Sequence, residues 1–142
     1  KTKSSTMKKL ILIAIFAMTA NFSFAQKLQK GNLLGLHAMT VTLQPGATME
    51  QLTDFYINKY IPAFENAFKG AKGFIIKGRR GDNENIFAIL WYFPTEADRD
   101  KFFTTDGMTD LGKAAAAKAA AIDKERDKLA TVTTVFTDWI VQ

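Results

Sequence analysis

Residues Ile86-Phe87-Ala88-Ile89-Leu90-Trp91-Tyr92-Phe93 read as a β-strand with no polar side. Side chains alternate across a strand, so one face carries Phe87, Ile89, Trp91 and Phe93. The other carries Ile86, Ala88, Leu90 and Tyr92. An antiparallel strand with one solvated face alternates apolar and polar residues. This one does not, so both faces need cover. In a small domain the chain's own helices can cover one. The second cover is expected to be another copy of the chain, the simplest case being a two-fold dimer. A wide hydrophobic ligand groove on a monomer is the competing explanation.

Outward from this strand, Leu33 to Leu43 reads as a first strand, stopped by Gln44-Pro45-Gly46. Thr48 and Gln51 have the spacing of a capping box and open a helix to about Phe68. Leu52, Phe55, Tyr56, Tyr60, Phe64 and Phe68 form its apolar stripe. Pro62 lies inside it and is expected to bend or split the helix. After the glycines at 70 and 73, a second strand is expected over Phe74 to Arg80, joined through the polar turn Gly81 to Asn85 to the third. Thr95 is placed to cap a short helix ending near Phe103, with Glu96 and Asp98 in its first turn. Thr104 to Asp110 reads as a loop or kink. An alanine-rich helix is expected from about Leu111 to Ala130, with Leu111, Ala115, Ile122 and Leu129 inward. The last strand is Thr131 to Val141. The order strand, helix, strand, strand, helix, strand predicts an α+β fold: a ferredoxin-like βαββαβ antiparallel sheet with helices on one face.

The N-terminal block reads as an export signal: Lys8 and Lys9, the 11-residue apolar run Leu10 to Ala20, then small residues Ser23 and Ala25 before an expected cut. That run is well short of the roughly 20 residues that span a bilayer. The expected organisation is residues 1–25 as upstream residues and cleaved signal, and 26–142 as one domain. Removing 25 of 142 residues leaves 117, enough for one core. Lys1, Lys3, Lys8 and Lys9 leave with the signal and no acid does. The 19 Lys and Arg become 15 against 14 acids, a net of +1. No electrostatic footprint for nucleic acid or an anionic membrane remains, so neither is an expected partner. There is no cysteine, hence no disulfide, thiolate chemistry or lipidated cysteine. The mature chain is expected to be periplasmic or extracellular.

With strand order and bare sheet face in view, the chain resembles the dimeric α/β-barrel superfamily, which includes antibiotic-biosynthesis monooxygenase-like, NIPSNAP-like and stress-responsive barrel domains. The resemblance covers about Leu33 to Val141. Its most recognisable piece is Leu36-His37-Ala38-Met39-Thr40-Val41-Thr42-Leu43-Gln44-Pro45-Gly46, a first strand ending in Pro-Gly before a capped helix. The resemblance implies a homodimer through the sheet face and a pocket between each subunit's sheet and helices. His37 is placed like the first-strand histidine that some stress-responsive barrel members use as an acid/base. The second histidine of the catalytic members is absent, the corresponding stretch being Thr104-Thr105-Asp106-Gly107-Met108-Thr109-Asp110. No helical histidine stands where haem-degrading relatives hold their haem. No cofactor is expected.

His37, the only histidine, is the candidate acid/base. It can equally be a buried or rim histidine satisfied by hydrogen bonds. Tyr56, Tyr60, Trp91 and Tyr92 are candidates to line a site for a flat, apolar molecule, against the alternative of ordinary core and dimer packing. Arg79, in the cluster Lys77, Arg79 and Arg80, is a candidate grip on a polar group, against a solvated strand end. Asp82 to Asn85 resembles the start of a calcium loop but lacks its glycine and closing glutamate, and no metal site is expected. There is no phosphate loop or serine nucleophile elbow. Three functions stay open: an exported homodimer binding a small apolar or aromatic molecule, a cofactor-independent monooxygenase-like or cyclase-like enzyme using His37, and a non-catalytic interaction module with a solid core.

Overall fold

The computed structural model describes residues 27–142. The export signal and its cut after Ala25 lie outside the described residues. The fold is α+β. Strands β1 (Leu33–Leu43), β2 (Lys72–Lys77), β3 (Phe87–Phe93) and β6 (Ala130–Ile140) form an antiparallel sheet in the order β2-β3-β1-β6. This order is consistent with a ferredoxin-like fold. Between β1 and β2 run α1 (Met49–Phe55), a π-helical turn (Tyr56–Tyr60) and α2 (Ile61–Ala67). Between β3 and β6 run α3 (Glu96–Asp100), a small hairpin of β4 (Phe103–Thr104) and β5 (Gly107–Met108), and α4 (Asp110–Asp127). Among the described residues no helix is long and apolar enough to cross a membrane.

Local signals explain most boundaries. Thr48 Oγ1 accepts from the Gln51 N–H, and Gln51 Oε1 accepts from the Thr48 N–H, so the capping box is formed. Thr95 caps α3 by accepting from the Asp98 N–H. Such caps are worth about 1 kcal/mol each. Pro62 splits the long helix in a specific way. A proline in a regular helix has no N–H to donate and crowds the carbonyl four residues back. The chain widens over Tyr56–Tyr60, where the Ile61 N–H donates to the Tyr56 carbonyl five residues earlier, and Pro62 then sits in the first turn of α2.

Other boundaries differ from expectation. The second strand ends at Lys77, because Gly78 turns the chain: its N–H donates to the Ile86 carbonyl and its carbonyl accepts from Asn85. A side chain on Gly78 would run into the Asn83 carbonyl. The expected loop over residues 104–110 contains the β4–β5 hairpin. Leu111 points outward; Ala115 is buried as expected, together with Gly112 and Ala119. The reason is close approach: a Cβ on Gly112 would collide with the Phe102 carbonyl. Ala130 belongs to β6 and is fully buried.

The core lies between the sheet and the helices. Leu33, Met39, Ile89, Trp91 and Phe93 meet Leu52, Phe55, Tyr56, Tyr60, Ile61 and Phe68 there. Among the described residues no helix packs on the opposite face of the sheet. Register places Phe74, Leu90, Leu36 and Thr137 in one row across it, and Ile76, Ala88, Ala38 and Val135 in the next. Phe74 is 54% exposed, Trp139 59% and Val135 76%.

Candidate functional site

The helix layer does not settle flat on the sheet. A cavity of about 670 Å3 lies between them. Its floor is the inner face of the strands, with Gly35, His37, Ile89, Trp91 and Phe136 among the lining residues. Its roof begins with Tyr56 and Tyr60, the first and last residues of the π turn. The wider turn sets their rings 4.8 Å apart, edge to face. Tyr60 stacks on Phe64 at 4.6 Å and Phe64 on Phe68 at 5.6 Å, while Phe64 lies 5.8 Å from Trp91. Each such pair contributes about 0.5–1.5 kcal/mol beyond its area burial. The ladder is a stiff wall that fixes the height of the cavity. Residues 103–108, the β4–β5 hairpin and its turn, close one side. The β6 side is the open one, since its lining residues Thr134, Phe136 and Asp138 are exposed.

Trp91 owes its position to glycine. Its cross-strand partners are Gly35 on β1 and Gly73 on β2. A Cβ on Gly73 would lie 2.6 Å from the Trp91 ring, so the indole lies where any other residue would put its side chain. A glycine inside a strand marks such close approach.

The sequence candidates separate into two groups. His37, Tyr56, Tyr60 and Trp91 line the cavity together. Tyr92 is on the opposite face of the sheet, paired with Leu34 and Lys72, because adjacent residues in a strand point to opposite sides. Arg79 lies in the β2–β3 hairpin connection, exposed and outside the lining, because β2 stops before it.

Sequence reasoning missed five charged lining residues: Arg99, Asp106, Asp123, Arg126 and Asp138. Asp138 carried a legible signal, a carboxylate on the strand face shared with Val132, Phe136 and Ile140. Arg99 Nη2 pairs with Asp138 Oδ2 at 3.1 Å. At the α4 wall, Arg126 Nη1 donates to Asp123 Oδ1 at 2.9 Å and the Tyr60 hydroxyl donates to the same oxygen at 3.2 Å. Burial raises the Tyr60 phenol well above the usual tyrosine range, with Asp123 adding to the effect. Burial raises Tyr56 also, opposed by Arg126. Both are neutral hydrogen-bonding phenols at physiological pH. His37 packs its ring 5.5 Å from Phe136. Burial lowers its basicity below the ordinary histidine value, and the Asp138 carboxylate pulls in the other direction. The imidazole is therefore neutral at pH 7. Among the described residues no group of three or more His, Asp or Glu side chains is placed to hold a metal ion.

Neither a family model nor a curated relative matches the sequence. Among solved structures, the crystal structure of VAO-type flavoprotein MtVAO713 from Myceliophthora thermophila C1 matches 77% of this chain at 15% identity, with a TM-score of 0.35. The chain spans 19% of that flavoprotein's length. A likeness this distant carries no argument about fold, cofactor or activity.

The single histidine makes its titration directly readable. Its imidazole resonance should titrate by NMR with a midpoint below about 6.5. Between the folded and unfolded values the unfolded chain binds more protons, so stability rises with pH through that window and falls on acidification. From pH 7.5 to 5.5 the wild type should lose more Tm than His37→Gln. An equal loss in both would contradict the lowered basicity.

Proposed function

We propose that this chain is an exported, homodimeric α/β-barrel protein that binds a small apolar or aromatic molecule between its sheet and its helices. The observation that carries the ligand reading is the 670 Å3 cavity walled by Tyr56, Tyr60, Phe64 and Trp91. Ligand sites are typically concave spaces of about 300–1,000 Å3, largely apolar with a few fixed polar groups. An interaction module with a solid core has no use for this space. The dimer reading rests on the outer sheet face, where Phe74, Ile76, Val135 and Trp139 form an apolar surface that no helix or strand among the described residues covers. Contiguous apolar patches beyond a few hundred Å2 mark interfaces. Export rests on the sequence of residues 7–25.

The two tryptophans separate the two claims. Trp91 faces the cavity and Trp139 the outer sheet face. In a Trp139→Phe background, a neutral aromatic probe such as N-phenyl-1-naphthylamine should quench Trp91 saturably. Ala116 lines the cavity from α4, and Ala116→Trp should fill it and weaken probe binding by about tenfold or more, a bulk clash with the ligand being larger than one lost contact. Undiminished binding by a folded Ala116→Trp protein would remove the cavity as the ligand site.

Sedimentation equilibrium checks the assembly. The wild type should be a dimer at micromolar concentration and Val135→Glu a folded monomer, since a charge buried in an apolar interface costs several kcal/mol. A wild-type monomer would sink the two-fold barrel.

A second reading is favoured by the placement of His37 in the cavity: an enzyme in which its neutral imidazole takes a proton from a bound aromatic substrate. If any hydroxylated or enolisable aromatic compound is turned over, His37→Ala should lower the rate by about 10²-fold or more. An unchanged rate would leave His37 as a wall residue.

A further inference from the structure

We propose that Asp138 sets the ligand preference of the cavity: it accepts a hydrogen bond from a hydroxyl or ammonium group on an otherwise apolar, aromatic ligand, and the site discriminates against anions. This rests on the cavity being a ligand site.

The argument starts from what the two cavity arginines already hold. Arg126 donates through Nε and Nη2 to Asp127 Oδ1, at 3.1 and 2.7 Å, and through Nη1 to Asp123. Arg99 gives Nη1 to Asp100 at 3.2 Å and Nη2 to Asp138. Each guanidinium is thus held between an outer carboxylate beyond the lining and an inner one within it. Each also lies near an aromatic ring, Arg99 5.3 Å from the centre of Phe103 and Arg126 5.8 Å from that of Tyr60. An incoming carboxylate or phosphate would find both cations neutralised. It would also face Asp106, Asp123 and Asp138. Gripping an arginine would require displacing an aspartate already paired to it, with no net gain in charge pairing.

What the lining does offer is an acceptor. Asp138 Oδ2 pairs with Arg99, and Oδ1 accepts no hydrogen bond among the described residues. Oδ1 overlooks a space that Gly35 leaves open. The point where a Gly35 Cβ would stand is 3.1 Å from Asp138 Oδ1, 3.6 Å from His37 Nε2 and 3.7 Å from the Cβ of Trp91. With no side chain at Gly35 in the way, a ligand donor passing over its Cα at contact distance can approach the carboxylate, with the rest of the ligand directed along Trp91 and the aromatic wall. Asp123 is the more heavily engaged carboxylate, its Oδ1 taking both Arg126 and the Tyr60 hydroxyl, and it stands at the α4 wall, whereas Asp138 stands beside the opening over Gly35. A hydrogen bond to an ionised acceptor favours donors over non-donors of the same shape.

Isothermal titration of the full chain with four probes of one shape tests this: 2-naphthol, 2-naphthylmethylammonium, 2-methoxynaphthalene and 2-naphthoate. At pH 7 at least one of the two donors should bind about tenfold or more tighter than methoxynaphthalene, the low end for a hydrogen bond to a charged group. Which donor leads decides between hydroxyl and ammonium. Naphthoate should bind weakest. In Asp138→Ala the donor advantage should vanish and naphthoate should gain about tenfold, because Arg99 is then released to meet it. Naphthoate matching the donors in the wild type, or an unchanged ranking in a folded Asp138→Ala, overturns the assignment. The wild-type ranking decides alone if that variant does not fold. Methoxynaphthalene binding without donor preference overturns only the role of Asp138. No binding by any probe overturns the ligand site itself.

Discussion

A four-stranded sheet whose two central strands are apolar on both sides has been given one layer of helices. That mismatch governs the rest of the molecule. On the inner face the demand is met: Ile89, Trp91 and Phe93 of β3 are buried under the aromatic residues of the helices. On the outer face Ala88 and Tyr92 of β3 are buried, while Phe74, Val135 and Trp139 on the flanking strands stand open. One row, Ile76, Ala88, Ala38 and Val135, is apolar across the whole width of the sheet, and the next two rows are apolar except at one edge, where Thr137 ends one and Lys72 begins the other. Isolated apolar residues on a surface need no explanation, but a continuous sheet of them does. In the dimer we propose, a second sheet stacked about 10 Å away would cover every row at once.

The cavity follows from a second local conflict. Trp91 lies on an inner face where its neighbours on both sides are glycine, Gly35 and Gly73. Those glycines let the indole lie low against β2 and leave a gap above β1. Above them the helix cannot collapse into that gap. Its π turn, imposed ahead of Pro62, spreads Tyr56 and Tyr60, and the stacked run through Phe64 to Phe68 fixes a wall too rigid to sag. Aromatic rings pack with few degrees of freedom, so the void is built into the stacking geometry and small side-chain motions cannot fill it.

Much of this architecture was legible in the chain. The first strand has the expected bounds, Leu33 to Leu43, and both predicted threonine caps formed, because caps and turns are decided within a few residues. The aromatic helix stripe read correctly for the same reason. The candidate site was legible only in part. Trp91 and Tyr92 were both read toward one pocket, although alternation in a strand sends neighbours to opposite faces. Arg79 was read on a strand that Gly78 had already ended. The five charged wall residues share no local signature because they converge from α3, the β4–β5 turn, α4 and β6, and only the tertiary fold brings them together. Helix α4 is the hardest case. Its alanine face gives almost no periodic contrast, so nothing local indicates that Asp123 and Arg126 look into the cavity while Leu111 looks away.

Strand β6 carries both surfaces in alternate residues, which makes its register the most exacting requirement in the fold. Asp138 looks into the cavity and Trp139 out to the bare face; a slip of one residue would exchange them and destroy both surfaces. Alternation alone cannot prevent this, since β6 is apolar or threonine on both sides for most of its length. The ends of the strand do. At its C-terminal end Gly31 donates to the Val141 carbonyl at 2.8 Å and Val141 donates to the Asn32 carbonyl at 2.9 Å. At its N-terminal end Gln44 donates to the Leu129 carbonyl at 2.9 Å. Asn32 is itself buried and locked: its side chain donates to the Pro94 carbonyl at 2.8 Å and accepts from the Gln29 N–H at 2.7 Å. A slipped β6 would have to break the pairs at both ends together, and the groups left unpaired near the buried Asn32 would cost about 1–3 kcal/mol each. The polar contacts that hold the register therefore sit at the two ends of the strand, and its middle presents the cavity on one side and the bare sheet face on the other.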